Sequence, residues 1–448
     1  MKLVILGGGF GGAYAAMHLG KLFRPGELEL TLVSRDNFLL FTPMLHEVAA
    51  SDVDVTHIVS PLRQLIRRGS VFNGEVEAID LAARRVRVRH VSGGHPHELE
   101  YDHLVIALGS VTNFFRLPGV AEHALTMKTL GDAIELRSRT IGLLEEAEFE
   151  AAAGHAASQL AFVVAGGGFA GVETAGALND FVRDALPFYP HLREADVRMV
   201  LVHPGEVLLP ELRPELGRYA ARALARRGIE VRTGTAVAGC DGSSVRLGDG
   251  ATIPARTLVW TAGTAPAPLL RTLPIVDERG RIPVAPTLAV PGQPGVWALG
   301  DAATIPDPDG KPYPPTAQHA IRQARVLAEN IRAAARGAPL RPFTFRTIGQ
   351  LAAIGRRRGV ANIMGINFSG FVAWLLWRTI YLAKLPRLDR KVRVALDWAL
   401  DLIFSKDLVQ YHTPQRPQTD VVADGPTPRA AMPAATPRDA PAGVAAHV

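Results

Sequence analysis

The hydrophobic pattern at the start of the chain predicts a strand, a glycine turn and a helix in direct succession. Lys2–Leu6 is a short apolar run, and a helical pattern extends from Ala13 to Phe23. Between them, Gly7, Gly9 and Gly12 have the spacing G-x-G-x-x-G. In this context the first glycine permits the turn, the second lets the backbone approach a pyrophosphate, and the third lets the helix pack on the strand. The segment therefore predicts a dinucleotide site.

The same pattern returns about 160 residues later. Ala161–Ala165 predicts a strand, the glycine spacing recurs at Gly166, Gly168 and Gly171, and a helical pattern follows from Val172 to about Leu186. A single glycine loop also occurs as a plain turn, whereas two matched openings in one chain imply two dinucleotides. The chain is therefore predicted to be an α/β protein with two Rossmann-like dinucleotide-binding domains.

The second strand of each module ends without the usual acidic residue. Leu28–Val33 is followed by Ser34 and Arg35, and Val197–Val202 is followed by His203. An acid at this place normally binds the ribose hydroxyls and excludes a 2′-phosphate. Ser34 can still form a hydrogen bond with a hydroxyl, but His203 leaves the choice between NADH and NADPH open.

Two later features suit a cofactor of the first module. A predicted strand ends at Gly300 and Asp301, where the carboxylate can accept hydrogen bonds from a polyol chain; the alternative is a helix-capping aspartate. Since Asp301 belongs by its chemistry with the first loop, we expect the second module to be inserted into the first. The apolar segment around Thr42 and Pro43 is either a buried loop or a wall beside an aromatic cofactor.

These features predict the domain boundaries. We expect a discontinuous first module at 1–115 and 265–335, a second module at 116–264, and a C-terminal region at 336–412. The remaining segment, 413–448, is rich in Pro, Ala, Thr and Asp with few large apolar side chains, which predicts a disordered tail.

The C-terminal region is predicted to be helical and amphipathic. Phe371–Ala383 is apolar except for Arg378, and Arg390, Arg393 and Asp397 recur at helical spacing in the next segment. Apolar helices with tryptophans and a basic border are typical of a monotopic anchor on an anionic membrane surface. The alternative is a helical hairpin packed on the body or on a second subunit.

Composition excludes several chemistries. The 448 residues are 48% hydrophobic and 21% charged, with a net charge of +6 and one cysteine, Cys240. One cysteine cannot form a disulfide framework, a Cys-ligated iron–sulfur cluster or a redox pair. We expect no metal and no nucleic acid partner. No secretory signal and no apolar run of about 18 residues is present, so we expect a peripheral protein at the cytoplasmic face of the cell membrane.

The motifs, taken in order, carry a family resemblance over about residues 1–411. They include VILGGGFGG, FLLFTPMLHEVA, GGGFAGVETAGAL, VWALGDAA, PTAQHAIRQA and FSGFVAWLLWRTIYL. This set resembles the type II NADH dehydrogenases, which are single-subunit NADH:quinone oxidoreductases. The resemblance implies a glutathione-reductase-like arrangement of the two domains, with FAD on the first and the nicotinamide cofactor on the second.

The resemblance also implies roles for individual residues. The FAD contacts would be Gly7, Gly9, Gly12, Ser34, Arg35, Val76, Gly109, Gly300 and Asp301, with Thr42 and Pro43 near the ring. The nicotinamide contacts would be Gly166, Gly168, Gly171, Glu173, His203 and Gly263. Glu173, Gln318 and Arg322 would act in catalysis, with Gln318 between the flavin and the quinone. The family often has a pair of glutamines where this chain has Arg322-Gln323.

We therefore expect an FAD-dependent, non-proton-pumping NAD(P)H:quinone oxidoreductase. Its partners would be a membrane quinone and an anionic membrane surface. The sequence does not decide between a monomer and a homodimer. The alternatives are a related flavoprotein reductase with a non-quinone acceptor and a flavin-based redox sensor.

Overall fold

The structure is a computed structural model that describes residues 1–155 and 160–411. The predicted tail, 413–448, lies outside the described residues. The N-terminal part contains β1 (Lys2–Leu6), α1 (Phe10–Leu22), β2 (Glu29–Ser34), β3 (Phe38–Leu40), α2 (Leu45–Ala49), β4 (Val59–Pro61), α3 (Leu62–Leu65), β5 (Ser70–Asp80), β6 (Arg85–His90), β7 (His97–Glu100), β8 (His103–Ile106) and β9 (Ser110–Thr112).

The middle and C-terminal parts continue this series. The middle part contains α4 (Val120–His123), β10 (Ala124–Thr126), α5 (Leu130–Ala152), β11 (Leu160–Ala165), α6 (Phe169–Ala185), β12 (Val197–His203), α7 (Pro214–Ala225), β13 (Ile229–Thr233), β14 (Val237–Cys240), β15 (Ser244–Leu247), β16 (Thr252–Pro254), β17 (Thr257–Trp260) and β18 (Thr264–Pro266). The last part contains β19 (Ile282–Pro283), β20 (Val296–Ala298), β21 (Ala303–Thr304), α8 (Ala317–Ala335), β22 (Gly349–Ala353), β23 (Gly359–Ile363), β24 (Ile366–Gly370), α9 (Phe371–Lys384) and α10 (Leu388–Leu400).

Two parallel sheets form the centres of the two modules. The first has the order β20-β8-β1-β2-β5-β6-β7, in which β20 through β5 are parallel, and α1 packs against α8. The second has the order β10-β17-β11-β12-β13 and is parallel throughout. Every residue of β11 is buried, as expected for a central parallel strand covered on both faces. The predicted α/β class with two Rossmann-like domains is confirmed.

The two connections between the modules run side by side. β9 leaves the first module, β18 returns to it, and the two pair in an antiparallel ribbon. After this return, β20 joins β8 in the first sheet. The chain therefore enters and leaves the second module at one place, which is what an inserted domain requires, while the residue boundaries we gave stay predictions.

The C-terminal region differs from its prediction in one respect. We expected 336–412 to be an amphipathic helical region, but β22, β23 and β24 form an antiparallel sheet before α9 begins. These strands are only five residues long and contain glycines at their ends, so they carry little of the alternating pattern that marks a strand. α9 packs on this sheet and α10 packs on α9.

The helical hairpin of α9 and α10 has an exposed apolar side. Leu388, Val392, Leu396 and Leu400 are each more than half exposed, at steps of four residues along α10. None of the helices in the described ranges combines the length and the apolar character that crossing a bilayer requires.

Candidate functional site

In the first glycine loop, Gly7 and Gly12 have no room for a side chain, whereas Gly9 faces open space. Gly7 has φ +106°, and a Cβ on it would collide with the carbonyl of Ala107. A Cβ on Gly12 would collide with the carbonyl oxygen of Gly7, whereas a Cβ on Gly9 would meet nothing within 4 Å. The loop therefore presents an open backbone edge at the N-terminus of α1, where a pyrophosphate can bind.

The second loop has the same geometry. Gly166 has φ +113°, and a Cβ on Gly171 would collide with the carbonyl oxygen of Gly166. In front of Gly168 the nearest atom is Oε1 of Glu211, 3.9 Å from where a Cβ would lie. Both loops therefore fit a dinucleotide.

Ser34 and His203 occupy equivalent places in the two modules. Ser34 is buried, and its side chain lies against Gly8, the middle residue of the first G-x-G. The ring of His203 lies against Gly167, whose N–H donates to His203 Nδ1 over 3.2 Å. Burial lowers the pKa of His203, so its ring is neutral at physiological pH. Neither side chain brings a charge to the ribose position.

The end of β2 is fixed from the neighbouring strand. Asn73 Nδ2 donates to the carbonyl oxygens of Ser34 and Arg35, over 3.2 and 2.7 Å. Val76 lies further along β5, at a bulge where the register with β6 shifts. The structure thus brings Ser34, Arg35 and Val76 to one edge of the first sheet.

Asp301 lies at the junction of the modules. It is in a 3₁₀ turn, Gly300–Ala302, well before α8, whose N-cap is Thr316, so the helix-cap alternative is wrong. Ser110 Oγ donates to Asp301 Oδ2 over 2.6 Å, and Lys128 Nζ donates to Ser110 Oγ over 2.9 Å. The carboxylate is therefore held in place by a polar chain that crosses from one module to the other.

Sequence reasoning missed Ser110 and Lys128. Burial lowers the pKa of Lys128, and the nearby Asp301 and Asp132 carboxylates oppose that shift. Lys128 precedes a helix-capping box, Thr129 with Asp132, which is a signal for the start of α5 and not for a binding site. Its proximity to Asp301 exists only in the fold.

The apolar segment around Thr42 and Pro43 lies between the first loop and the C-terminal hairpin. These two residues begin a short 3₁₀ helix, Thr42–Met44. The preceding Phe41 ring makes edge contacts with Phe10, 6.0 Å between centroids, and with Tyr381, 6.1 Å. The segment is thus packed on its Phe41 side, while Thr42 is exposed.

Glu173 is buried in the second turn of α6, close behind the second glycine loop. Its Oε1 accepts hydrogen bonds from Trp377 Nε1 over 2.9 Å and from the Ala353 N–H over 3.1 Å. Burial, helped by the Glu47 carboxylate, raises the pKa of Glu173 to about 8. Glu173 therefore holds a proton at neutral pH.

Gln318 and Arg322 lie one turn apart at the start of α8. Gln318 Nε2 is 3.5 Å from the carbonyl oxygen of Gly349 in β22. Arg322 Nη1 donates to the backbone oxygen of Gln318 over 2.9 Å, and its guanidinium lies 4.2 Å from the centroid of the Phe345 ring. The following Gln323 is buried and accepts from the Gly300 N–H over 3.0 Å, so it supports the Gly300–Asp301 turn.

The last two glycines of the predicted set differ in their surroundings. Gly109 has φ +71° and open space in front of it. Gly263 has φ +77° and faces the ring of Phe115, which is itself 55% exposed. The assignments of all these site residues stay predictions, although the structure gathers them around the two loops and the module junction.

Comparison with known proteins identifies a family that matches both modules and the C-terminal region. Residues 1–324 match the pyridine nucleotide-disulphide oxidoreductase family, and residues 348–407 match the NDH2 C-terminal domain. The type II NADH:quinone oxidoreductase Ndh of Mycobacterium tuberculosis is 32% identical, covering 90% of this chain and 89% of the relative. Demethylphylloquinone reductase NdbB of Synechocystis sp. is 33% identical, covering 89% of this chain and 95% of the relative.

A solved structure is similar in fold. NDH2 of Plasmodium falciparum, in complex with NADH, superposes with a TM-score of 0.82 at 20% sequence identity, covering 91% of this chain and 99% of that one. The similarity extends over both modules and the C-terminal region.

The crowded Gly12 and the open Gly9 predict different effects of substitution, one on stability and one on flavin binding. Gly12→Ala should lower the free energy of unfolding of the flavin-free protein by about 1–3 kcal/mol or more, because the new Cβ collides with a backbone oxygen. Gly9→Ala should leave that stability within about 0.5 kcal/mol but weaken flavin binding, because the methyl group fills the open edge. Urea unfolding of the flavin-free proteins and flavin titration measure the two effects. Equal loss of stability in both variants would contradict this reading of the loop.

Proposed function

The chain belongs to the type II NADH:quinone oxidoreductases, within the pyridine nucleotide-disulphide oxidoreductase family, and we propose that it catalyses their reaction with FAD bound by the first module and without pumping protons. The observation that carries the proposal is the pair of glycine loops of equal geometry in one chain. A flavin accepts a hydride from a nicotinamide and passes its electrons to a further acceptor. The absence of pumping is proposed from the family resemblance alone.

The residues of the first module fit FAD. Gly9 offers an open backbone edge to the pyrophosphate, and Ser34 can form a hydrogen bond with a ribose hydroxyl. Asp301, fixed by Ser110, would accept from the ribityl chain. We propose that Lys128, buried beside this pair, orients the same end of the cofactor.

The second module would bind NADH through Gly168 and the N-terminus of α6. His203, at the position where a side chain would contact the ribose hydroxyls, is neutral and already accepts a hydrogen bond from the Gly167 N–H. It therefore neither repels nor attracts a 2′-phosphate strongly, so this position does not exclude NADPH as a second substrate.

The quinone would approach Gln318 from the C-terminal side. Gln318 lies beside Gly349 of β22, and the sheet that contains β22 supports α9. The side chain therefore contacts the same sheet on which the hairpin packs. We propose that Arg322, held against Phe345, shapes this entrance.

The exposed side of the hairpin would bind the membrane. Its aliphatic residues face outward, while Asp397 bonds to His57 Nδ1 over 2.5 Å and Asp401 to Lys406 Nζ over 2.6 Å on the inner side. An apolar patch of this kind marks a lipid or protein contact, and the basic side chains of α10 suit anionic lipid. We propose the cytoplasmic leaflet as its occupant, and a second copy of the chain as the alternative.

A substitution at His203 tests the nicotinamide site. His203→Glu should raise the ratio of kcat/KM for NADH over NADPH by about fivefold or more, because repulsion between two unit charges about 4 Å apart is roughly 1 kcal/mol even in water. Steady-state kinetics with both cofactors measure the ratio, and His203→Gln is the uncharged control. An unchanged ratio in His203→Glu would show that the 2′ position lies elsewhere.

Gln318→Ala tests the quinone site. We expect flavin oxidation by quinone to slow by about tenfold while flavin reduction by NADH stays unchanged, because Gln318 lies on the acceptor side. Stopped-flow absorbance separates the two phases. Arg325→Ala, on the exposed side of the same helix, is the control and should change neither. Equal slowing of both phases would refute the assignment.

A triple substitution tests the membrane surface. Val392→Ser, Leu396→Ser and Leu400→Ser together should weaken binding to anionic liposomes on the order of 100-fold, at about 1 kcal/mol for each buried side chain. Flotation of the full chain with liposomes measures this. Serines at three exposed apolar sites elsewhere, Val91, Phe149 and Phe188, are the control. Unchanged flotation with a smaller sedimenting species would assign the surface to a second copy instead.

A further inference from the structure

An exposed phenylalanine lies at the edge of the second glycine loop. Thr261 and Ala262, which follow β17, pack against the first glycine of that loop: a Cβ on Gly166 would lie 2.7 Å from Thr261 Oγ1 and 3.0 Å from the Ala262 nitrogen. The next residue, Gly263, faces the ring of Phe115 so closely that a Cβ on this glycine would collide with the ring. The ring is therefore separated from the loop by one short segment of backbone.

The turn that carries this ring has a strained backbone. Phe115 and Arg116 have φ values of +52° and +55°, in the left-handed region that residues with a side chain rarely adopt. Asn113 fixes the turn, because its Oδ1 accepts from the Phe115 N–H over 2.8 Å and its backbone oxygen accepts from Trp260 Nε1 over 2.9 Å. Strained residues that their surroundings fix in this way are concentrated at ligand sites.

Packing explains little of the presence of this ring. Phe115 is 55% exposed, whereas the preceding Phe114 is 6% exposed and belongs to the core of the second module. The contact between Phe115 and Trp260 is edge-on, with 6.4 Å between the ring centroids. An aromatic side chain stabilises a fold chiefly through the apolar area that it buries. More than half of Phe115 instead faces solvent, where a ligand can reach it.

The order of the second sheet shows which half of a dinucleotide would pass this ring. In β10-β17-β11-β12-β13 the glycine loop follows the central β11, His203 ends β12 on one side, and Gly263 follows β17 on the other. In this fold the adenosine ribose lies at the end of the second strand and the pyrophosphate lies at the loop. The nicotinamide half would therefore extend over the end of β17, where Gly263 and Phe115 lie.

The same side of the sheet leads to the first module. β18 follows β17 and pairs with β9, and the turn at Phe115 comes directly after β9. Ser110 of β9 also donates to Asp301, the residue proposed to bind the ribityl chain. Hydride transfer requires the nicotinamide ring to approach the flavin. A nicotinamide half that passes Phe115 is thus directed toward the flavin module, as the reaction needs.

We propose that the exposed Phe115 ring contacts the nicotinamide half of NADH and holds it over the end of β17. Gly263 leaves room for the ring, and Asn113 fixes the turn that presents it. A phenyl ring offers an apolar, planar surface to the nicotinamide ring and its ribose, and aromatic contacts add attraction beyond the area that they bury. The inference rests on hydride transfer from NADH to a flavin as the function.

Phe115→Ala tests the contact. The dissociation constant of NADH, taken from the concentration dependence of flavin reduction in stopped-flow mixing, should rise about tenfold because the aromatic contact is lost. The inhibition constant of ADP, which lacks the nicotinamide and its ribose, should stay within about twofold of the wild-type value. Phe149→Ala removes a 74% exposed ring from α5 and is the matched control, which should change neither constant.

The two ligands separate a direct contact from a structural role. Were Phe115 needed only to support the loop, NADH and ADP would both bind more weakly to Phe115→Ala, and that result would overturn the proposal. An unchanged dissociation constant for NADH would overturn it as well. Phe115→Leu retains much of the apolar volume without the planar ring, so it should weaken NADH binding less than alanine does. Failure of the proposed function would look different, because NADH would then not reduce the flavin of the wild-type protein.

Discussion

The close approach of backbone to backbone at the two glycine loops is the constraint on which the rest of the structure depends. In each loop the third glycine lies against the carbonyl oxygen of the first, so that Gly12 meets Gly7 and Gly171 meets Gly166. This contact brings the helix N-terminus to the end of its strand, where the positive end of the helix dipole faces a bound pyrophosphate. Both modules satisfy the same constraint. The pairing of β9 with β18 then joins the two modules at one place.

The C-terminal hairpin is joined to this core by polar contacts and not only by apolar packing. Its inner side buries Trp377 and Trp398, whose indoles bond to Glu173 and Glu47. Its outer side leaves aliphatic residues exposed as well, whereas a surface helix usually has an apolar inner side and a polar outer side. The surface proposed to bind lipid therefore lies on the opposite side of the hairpin from the two buried acids.

The sequence predicted the features that depend on neighbouring residues. Both glycine loops follow from local pattern, and their predicted positions agree with the structure. Lys128 and Glu47 could not be found in this way, because their surroundings are made by distant segments: Glu47 bonds to Trp398, 351 positions away. The sheet of β22 to β24 was missed for a different reason, since its short strands have almost no alternating pattern.

Burying Glu47 and Glu173 is costly, and the cost is informative. A carboxylate without a full set of partners in the interior destabilises a protein, and a hydrophobic pair of the same volume would pack as well. The structure reduces the cost by letting both groups hold a proton, since burial raises the pKa of each to about 7 and 8. Groups with such shifted pKa values cluster at functional sites. Each carboxyl group is also bonded to one indole of the hairpin, so the two acids and the hairpin are held in place together.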